Sequence, residues 1–274
     1  SGSEDLHVKD TSADIYNAGV SNSSDPYHSF SDDIDGYTRA DTWDIGADEY
    51  TGIITPEPTP APCIINVPRD YTSIQKAIAA AEDGCEIIVA PDNYFENIQI
   101  KGKNIILRSI DPTDSGVVEE TVINGGQIDS VVTFSGSETP FCVLSGFKII
   151  NGKSENGGGI SGNKSLATIQ YNIIEQNEAA NNGGGICELY GIIQDNIIRN
   201  NSSNEGGGLH DCQGTIRKNE INDNSAVTNG GGLFGCDGLI KDNNIKGNYA
   251  GNDGGGLTHC FSIQNNRIMN NHAS

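Results

Sequence analysis

Apolar residues in the second half of the chain come singly or in pairs between Gly, Asn, Asp and Ser, and they return on a fixed beat. A Gly-Gly-Gly-Ile/Leu block begins at Gly157, Gly183, Gly206, Gly230 and Gly254, so the spacings are 26, 23, 24 and 24 residues. A second pattern, N-x-I-x-x-N, keeps the same register at Asn172/Ile174/Asn177, Asn196/Ile198/Asn201, Asn219/Ile221/Asn224, Asn243/Ile245/Asn248 and Asn266/Ile268/Asn271. A period in the twenties points to a leucine-rich horseshoe or a parallel β-solenoid, because each unit must bury its apolar face on its neighbours. A horseshoe needs several leucines per unit and a helical return, whereas Gly, Asn, Asp and Ser are poor in helices. The pattern therefore predicts an all-β fold of stacked coils made of short strands and turns. Residues 141–274 hold no proline, as expected where each backbone N–H is needed in a ladder.

Equivalent residues of successive coils lie about 4.8 Å apart, so identical side chains form columns. Ile160, Ile186, Leu209, Leu233 and Leu257 make one apolar column. Asparagines at matching corners can bond the next Asn and the turn backbone, and they tolerate left-handed turn conformations. The glycines suit tight corners with positive φ. Cys212, Cys236 and Cys260 share one offset and read as a column of buried thiols acting as small hydrophobes, with disulfides between them the weaker alternative.

Upstream, apolar residues at helical spacing (Ile74, Ala77, Ile78, Ala81) predict one helix over residues 72–83, with a capping box from Thr72 to Gln75 and Gly84 as its stop. Placed before the first coil, it suits covering the solenoid's open end. Strands are predicted at Glu86–Ala90, Ile98–Ile100 and Asn104–Leu107.

The run VPRDYTSIQKAIAAAEDGCEIIVAPDNYFENIQIKGKNIILRSIDP from Val67, followed by TVINGG, VVTFSG, VLSGFKIING and the GGGI/GGGL blocks, resembles the right-handed parallel β-helix of pectin-lyase-like secreted bacterial proteins over residues 63–274. That resemblance implies a right-handed solenoid and an extracellular or cell-surface location.

Composition narrows the partners. A net charge of −21 and a pI near 4.3 argue against nucleic acid and anionic membranes and favour cations. No run of eighteen apolar residues predicts a membrane span, and no signal peptide pattern stands at Ser1, which reads as a mature or processed form. With seven cysteines, at least one is free or pairs with another chain. Cys63 and Cys85 open the similar segments CIINV and CEIIV, so they can face each other on neighbouring strands as one disulfide or remain two buried thiols. Sequons at Asn22, Asn163, Asn200 and Asn201 are candidate glycosylation sites, although an Asn- and Ser-rich chain generates several by composition alone.

The two ends are unusual for this architecture. Residues 1–50 resemble the irregular segment that finishes such β-helices, yet they come first, while the sequence stops at NNRIMNNHAS directly after an Asn pattern. A bare solenoid end is a template for strand addition. We therefore expect the acidic tail of one copy, residues 1–50, to cap the last coil of the next across a Thr/Pro linker, residues 51–62. Such a heterologous contact propagates as a filament, and one unit of a tandem array would give a similar fibre. An eight-residue linker from Thr55 to Pro62 spans at most about 28 Å, short of the roughly 38 Å that about eight coils occupy. Leu6, Val8, Trp43, Ile45 and Tyr50 on the tail side, with Ile263, Ile268 and Met269 on the last coil, are the expected junction residues.

Catalytic chemistry fares poorly on the residues. Of the aspartate signatures carried by β-helix polygalacturonan hydrolases, only Asp32-Asp33 matches in part, and Arg199, Arg217, Lys218 and Lys241 read as scattered turn residues lacking a carboxylate cluster. His210 and His259 differ by one in offset and lack a third zinc ligand. Asp33-x-Asp35-Gly36 offers hard oxygens around a glycine turn, a candidate calcium loop, with diffuse cation screening as the competing reading. No cofactor is required. The alternative to a filament subunit is a secreted polysaccharide-binding or polysaccharide-degrading module, which requires aromatic rings in register; Tyr190, Phe234, Tyr249 and Phe261 do not share one offset.

Overall fold

The computed structural model describes residues 63–274, together with one short antiparallel pairing upstream, Gly19–Val20 against Thr42–Trp43. Two compact units divide the chain, Ser1–Ala61 and Pro62–Ser274. The expectations placed on Leu6, Val8, Asn22, Asp33, Asp35, Ile45 and Tyr50, and on the side chain of Trp43, lie outside the described residues.

Residues of the larger unit wind into an all-β parallel solenoid of about nine turns, one more than predicted. Four parallel sheets form its faces. Sheet I has nine strands from Ile64–Val67 to Ser262–Gln264, and sheet II has eight from Asp92–Phe95 to Arg267–Met269. Sheet III has six from Lys153–Asn156 to His272–Ala273, and sheet IV has seven from Ile98–Gln99 to Leu257–Thr258. One turn runs through Ile192–Gln194, Ile197–Arg199, Ser202–Ser203 and Leu209–His210, then re-enters sheet I at Ile216–Arg217.

In a three-residue strand only the central side chain faces the interior, which is why isolated isoleucines suffice. Ile174, Ile198, Ile221 and Ile245 pair in register and are fully buried. Ile160, Ile186, Leu209 and Leu233 form the column expected on sheet IV, continued by Leu257.

The corners differ from expectation in one respect. The residue preceding each ladder asparagine takes the left-handed conformation, not the asparagine itself: Asp195, Lys218 and Asp242 have φ of 54°, 56° and 57°, as do Asn200 and Asp223 at 54° and 53°. The asparagine must hold its amide inside the corner, so the chain reversal falls one residue earlier. In each glycine triplet only the first residue has positive φ, 64° at Gly206. The second is required by space, as at Gly207, where a Cβ would stand 2.5 Å from Ser225 O and 2.6 Å from Gly231 O of the next coil.

The capping helix α1 spans Ile74–Ala80, shorter at both ends than the predicted 72–83. Ser73, not Thr72, is its N-cap, accepting from Lys76 N at 3.2 Å. The first amides, of Ile74 and Gln75, each donate to the Glu96 carboxylate at 2.9 Å. At the other end the Lys103 ammonium donates to the carbonyls of Ile78, Ala79 and Ala81 at 2.7, 2.8 and 2.7 Å. An anion at the N-terminus and a cation at the C-terminus complement the helix dipole, and both come from the following coil. The helix thus stops at Ala81 before Gly84 is reached, while Ile74, Ala77 and Ile78 bury the predicted face.

A second helix, α2 at Ser115–Glu120, was not anticipated; Asp114 caps it by accepting from Gly116 N and Val117 N. The strand expected at Asn104–Leu107 lies at Ile106–Ser109, because Asn104 is spent on a corner, accepting from Thr139 N and Oγ1 at 2.8 and 2.7 Å. The other two begin where predicted, at Glu86–Val89 and Ile98–Gln99.

Cys63 and Cys85 form a disulfide between the first two strands of sheet I, with Cα atoms 4.6 Å apart. Cys212 and Cys236 are buried free thiols and Cys260 is partly covered. Each sits two residues past the carbonyl it meets, His210 O, Phe234 O and Thr258 O, at 3.5, 3.5 and 3.3 Å. Burial, with the neighbouring thiols, pushes Cys236 far above the ordinary thiol range, so this column is structural and not nucleophilic.

Candidate functional site

Two features of the solenoid stand apart from its repetitive scaffold: the directed asparagine columns and a groove beside sheet IV.

The last coil is best understood from the asparagine columns that end there. Within the stack each ladder asparagine makes the same bonds, and the set has a direction. Asn219 Nδ2 donates backward to Ile193 O at 2.9 Å and forward to Asn243 Oδ1 at 3.0 Å, while its backbone N–H also donates forward to Asn243 Oδ1 at 2.9 Å. Its own Oδ1 accepts from Asn196 N and Nδ2, both at 3.0 Å. The columns Asn172, Asn196, Asn219, Asn243, Asn266 and Asn177, Asn201, Asn224, Asn248, Asn271 repeat the scheme. Every carbonyl oxygen faces toward lower numbers and every free donor toward higher numbers. In the last coil, Asn266 and Asn271 still donate back to Ile240 O and Ile245 O.

Ile268 is 48% exposed where Ile245 one coil earlier is 0%, and Ile263 is 42% exposed where Ile240 is 0%. Met269 is half-buried, with Arg267 Nε 3.0 Å from its sulfur. Tyr249 stacks on His272 with centroids 5.7 Å apart.

The second feature is a groove of about 440 Å³ along the outer column of sheet IV. Gln99, Thr133 and Ser161 form its floor in register, and the carboxylates of Asp129, Glu155 and Glu188 rim it. Beyond Cys187 the same column continues as a ladder of rings. His210 stacks on Phe234 with centroids 5.2 Å apart and planes 10° off parallel, and His259 meets the other side of Phe234 at 5.2 Å. Burial lowers the His210 pKa against the pull of Asp211, Glu205 and Glu188, which keeps the ring neutral near pH 7. Burial also pushes the Cys187 thiol up to about 12, so its 4.0 Å approach to His210 Nδ1 makes no thiolate. Aromatic offsets alone missed this ladder because the rings flanking Phe234 are imidazoles, and His259 joins from one residue off register.

Arg199, Arg217 and Lys241 lie on strands and not on turns, which corrects the sequence reading; only Lys218 occupies a turn. Arg199 does have carboxylate partners. It bonds Glu175 at 2.6 Å, Lys148 bridges Glu175 and Glu119 at 3.1 and 2.7 Å, and Arg199 lies 3.8 Å from Glu119. Burial works to raise the Glu175 carboxyl, but Arg199 and Lys148 together hold it below the ordinary carboxylate range. The four groups neutralise one another along the outer face of sheet II. Arg217 instead donates to Gln194 Oε1 through Nε and Nη2 at 2.8 and 2.6 Å.

The sequons divide by environment. Asn201 is 1% exposed and donates to Ile174 O and Asn224 Oδ1, so the folded coil cannot carry a glycan there. Asn163 and Asn200 are exposed, although Asn163 Nδ2 already donates to Phe134 O at 2.7 Å. Among the described residues no group of three or more His, Cys, Asp or Glu stands together as a metal site, and no helix is long and apolar enough to cross a membrane. Comparison of the chain with protein-family models, with curated proteins and with solved structures finds no match.

Proposed function

We propose that this protein is a structural subunit of an extracellular filament, in which the N-terminal tail of one copy docks on the coil Leu257–Ala273 of the next. The observation that carries this reading is the shared register of successive coils, in which Ile198, Ile221, Ile245 and Ile268 stack at one repeat position; sheets built in this way accept a further layer by strand addition wherever a coil edge is free. About half of the chain's charge of −21 lies on residues 63–274, and this net negative charge keeps the solenoid flanks apart, so growth is directed to the ends. Electron microscopy with a solution mass should show fibres of the 274-residue polypeptide whose axial repeat is roughly 43 Å plus the docked layer, nine coils at about 4.8 Å each. Residues 51–274 should fold as the same solenoid and form no ordered fibre. Identical fibres from the shortened chain would remove the tail from the mechanism, and a monomeric full chain would remove the filament.

The groove supports a second reading, a carbohydrate-binding face, because a polar floor beside a ring ladder is the arrangement that recognises sugar hydroxyls and stacks on pyranose faces. Titration with acidic and neutral oligosaccharides should then give binding that Phe234→Ala weakens at least about tenfold, a loss of about 1.4 kcal/mol. Unchanged binding, or none, would discard this reading.

A further inference from the structure

We infer that Cys187 and His210 hold one soft monovalent metal ion, of which Cu(I) is the biological example, between Sγ and Nδ1 beside the groove of sheet IV. Both residues lie in the middle of the solenoid, and the inference uses neither of the two readings above. Backbone pairing sets Cys187 and His210 opposite one another on adjacent coils of sheet IV. Cys187 Sγ lies 4.0 Å from His210 Nδ1, its one hydrogen-bonding neighbour among the described residues. The thiol is only 3% exposed, yet it lines the groove, so an ion entering there meets the sulfur directly. On the other side His210 stacks flat on Phe234, the planes 10° apart, which holds the imidazole in place.

The surroundings draw in a cation. Glu188 and Asp211 bear on both ligands, raising the thiol and opposing the fall of the imidazole, and Glu205 adds to the effect at His210. No lysine or arginine lines the groove, so its negative potential concentrates positive ions. Geometry and charge then select the ion. A thiolate and an imidazole on one metal lie about 2.3 and about 2.0 Å from it, which at a tetrahedral angle brings sulfur and nitrogen to about 3.5 Å. A separation of 4.0 Å opens that angle to about 135°, toward the low coordination number that Cu(I) accepts with soft ligands. Tetrahedral zinc requires further ligands, and among the described residues no third His, Cys, Asp or Glu stands with this pair as a metal-holding group. On binding, the ion replaces the Sγ proton, which passes to water. Thiolate, neutral imidazole and a monovalent ion then sum to no net charge at a buried sulfur, whereas a divalent ion leaves one positive charge uncompensated there.

Anaerobic titration of the full chain with Cu(I), buffered by a chromophoric chelator and kept reduced with ascorbate, tests the assignment. One equivalent should bind, with thiolate-to-metal charge-transfer absorption in the ultraviolet and release of about one proton per ion. Cys187→Ser should abolish that equivalent. His210→Phe, which keeps a ring against Phe234, should weaken it at least about tenfold. Cys236→Ala removes a thiol that is 0% exposed and outside the groove lining, and it should bind as wild type does. Far-UV circular dichroism of all three variants should match wild type, which separates loss of a ligand from loss of the fold. Affinity unchanged in His210→Phe would show that the thiol acts alone and overturn the paired site. Loss of the ion in Cys236→Ala would place it in the interior thiol column instead, and Zn(II) bound as tightly as Cu(I) would overturn the choice of ion. No uptake by the wild-type chain, or uptake that survives Cys187→Ser, would end the proposal.

Discussion

Replacing Asn219 by leucine should lower the unfolding free energy by about 4–6 kcal/mol, far more than a side chain of similar volume suggests. Asn219 is 1% exposed and its amide serves four groups. Leucine leaves Asn196 N–H and Nδ2 without an acceptor and takes the Nδ2 donor from Ile193 O, while Asn243 Oδ1 keeps only the backbone N–H of residue 219. Each buried polar group left unpaired costs about 1–3 kcal/mol, and partial relaxation of the coil recovers some of it. The informative comparison is Asn266→Leu. That residue accepts from Asn243 N and Nδ2 and donates to Ile240 O, but it lies at a partly solvated coil where water can reach the freed groups, and its loss should cost less, about 1–3 kcal/mol. Denaturant titration of both variants reads the difference directly, and equal losses would show that the columns do not act as buried networks.

Gly207→Val should be at least as damaging, with about 4 kcal/mol or more lost, or no soluble protein. The Cβ would meet Ser225 O and Gly231 O at 2.5 and 2.6 Å. Both are backbone atoms of the next coil, held in ladder bonds such as Ser225 N to Asn201 O and Gly231 N to Gly254 O. Relief requires prising two coils apart along a whole face, which exceeds the usual 1–3 kcal/mol of overpacking. Ser202→Val is the control. It places the same side chain on the exposed face of the same turn, where the change should stay within about 0.5 kcal/mol. Thermal melts of the two variants that coincide would disprove the packing account of the glycine triplet.

The proposed filament and the asparagine columns share one physical basis. A ladder whose oxygens all face one way offers donors to the layer that follows, and in the proposed head-to-tail contact an acidic tail would supply the acceptors.

The repeat itself determined the solenoid, its coil boundaries and its columns, because side chains that stack at one spacing must match from coil to coil, and matching survives as periodicity in a single chain. The buried isoleucines, both asparagine columns and the thiol column are all legible in that way, and the pairing of Cys63 with Cys85 was left open only because spacing does not decide redox state. What the tertiary structure alone decided lies where residues distant in sequence and unlike in type converge. Glu96 and Lys103 trim the helix to Ile74–Ala80 from the coil that follows it. His259 tilts against Phe234 from one residue off register while His210 stacks on it in register, and Arg199 finds Glu175 on the neighbouring strand and Glu119 on α2. Even the shift of the left-handed residue to the position before each asparagine is settled by the coil above, whose amides fix where the asparagine must point. Periodicity encodes interactions between equivalent positions; contacts between non-equivalent positions leave no repeat to read, and only the folded chain shows them.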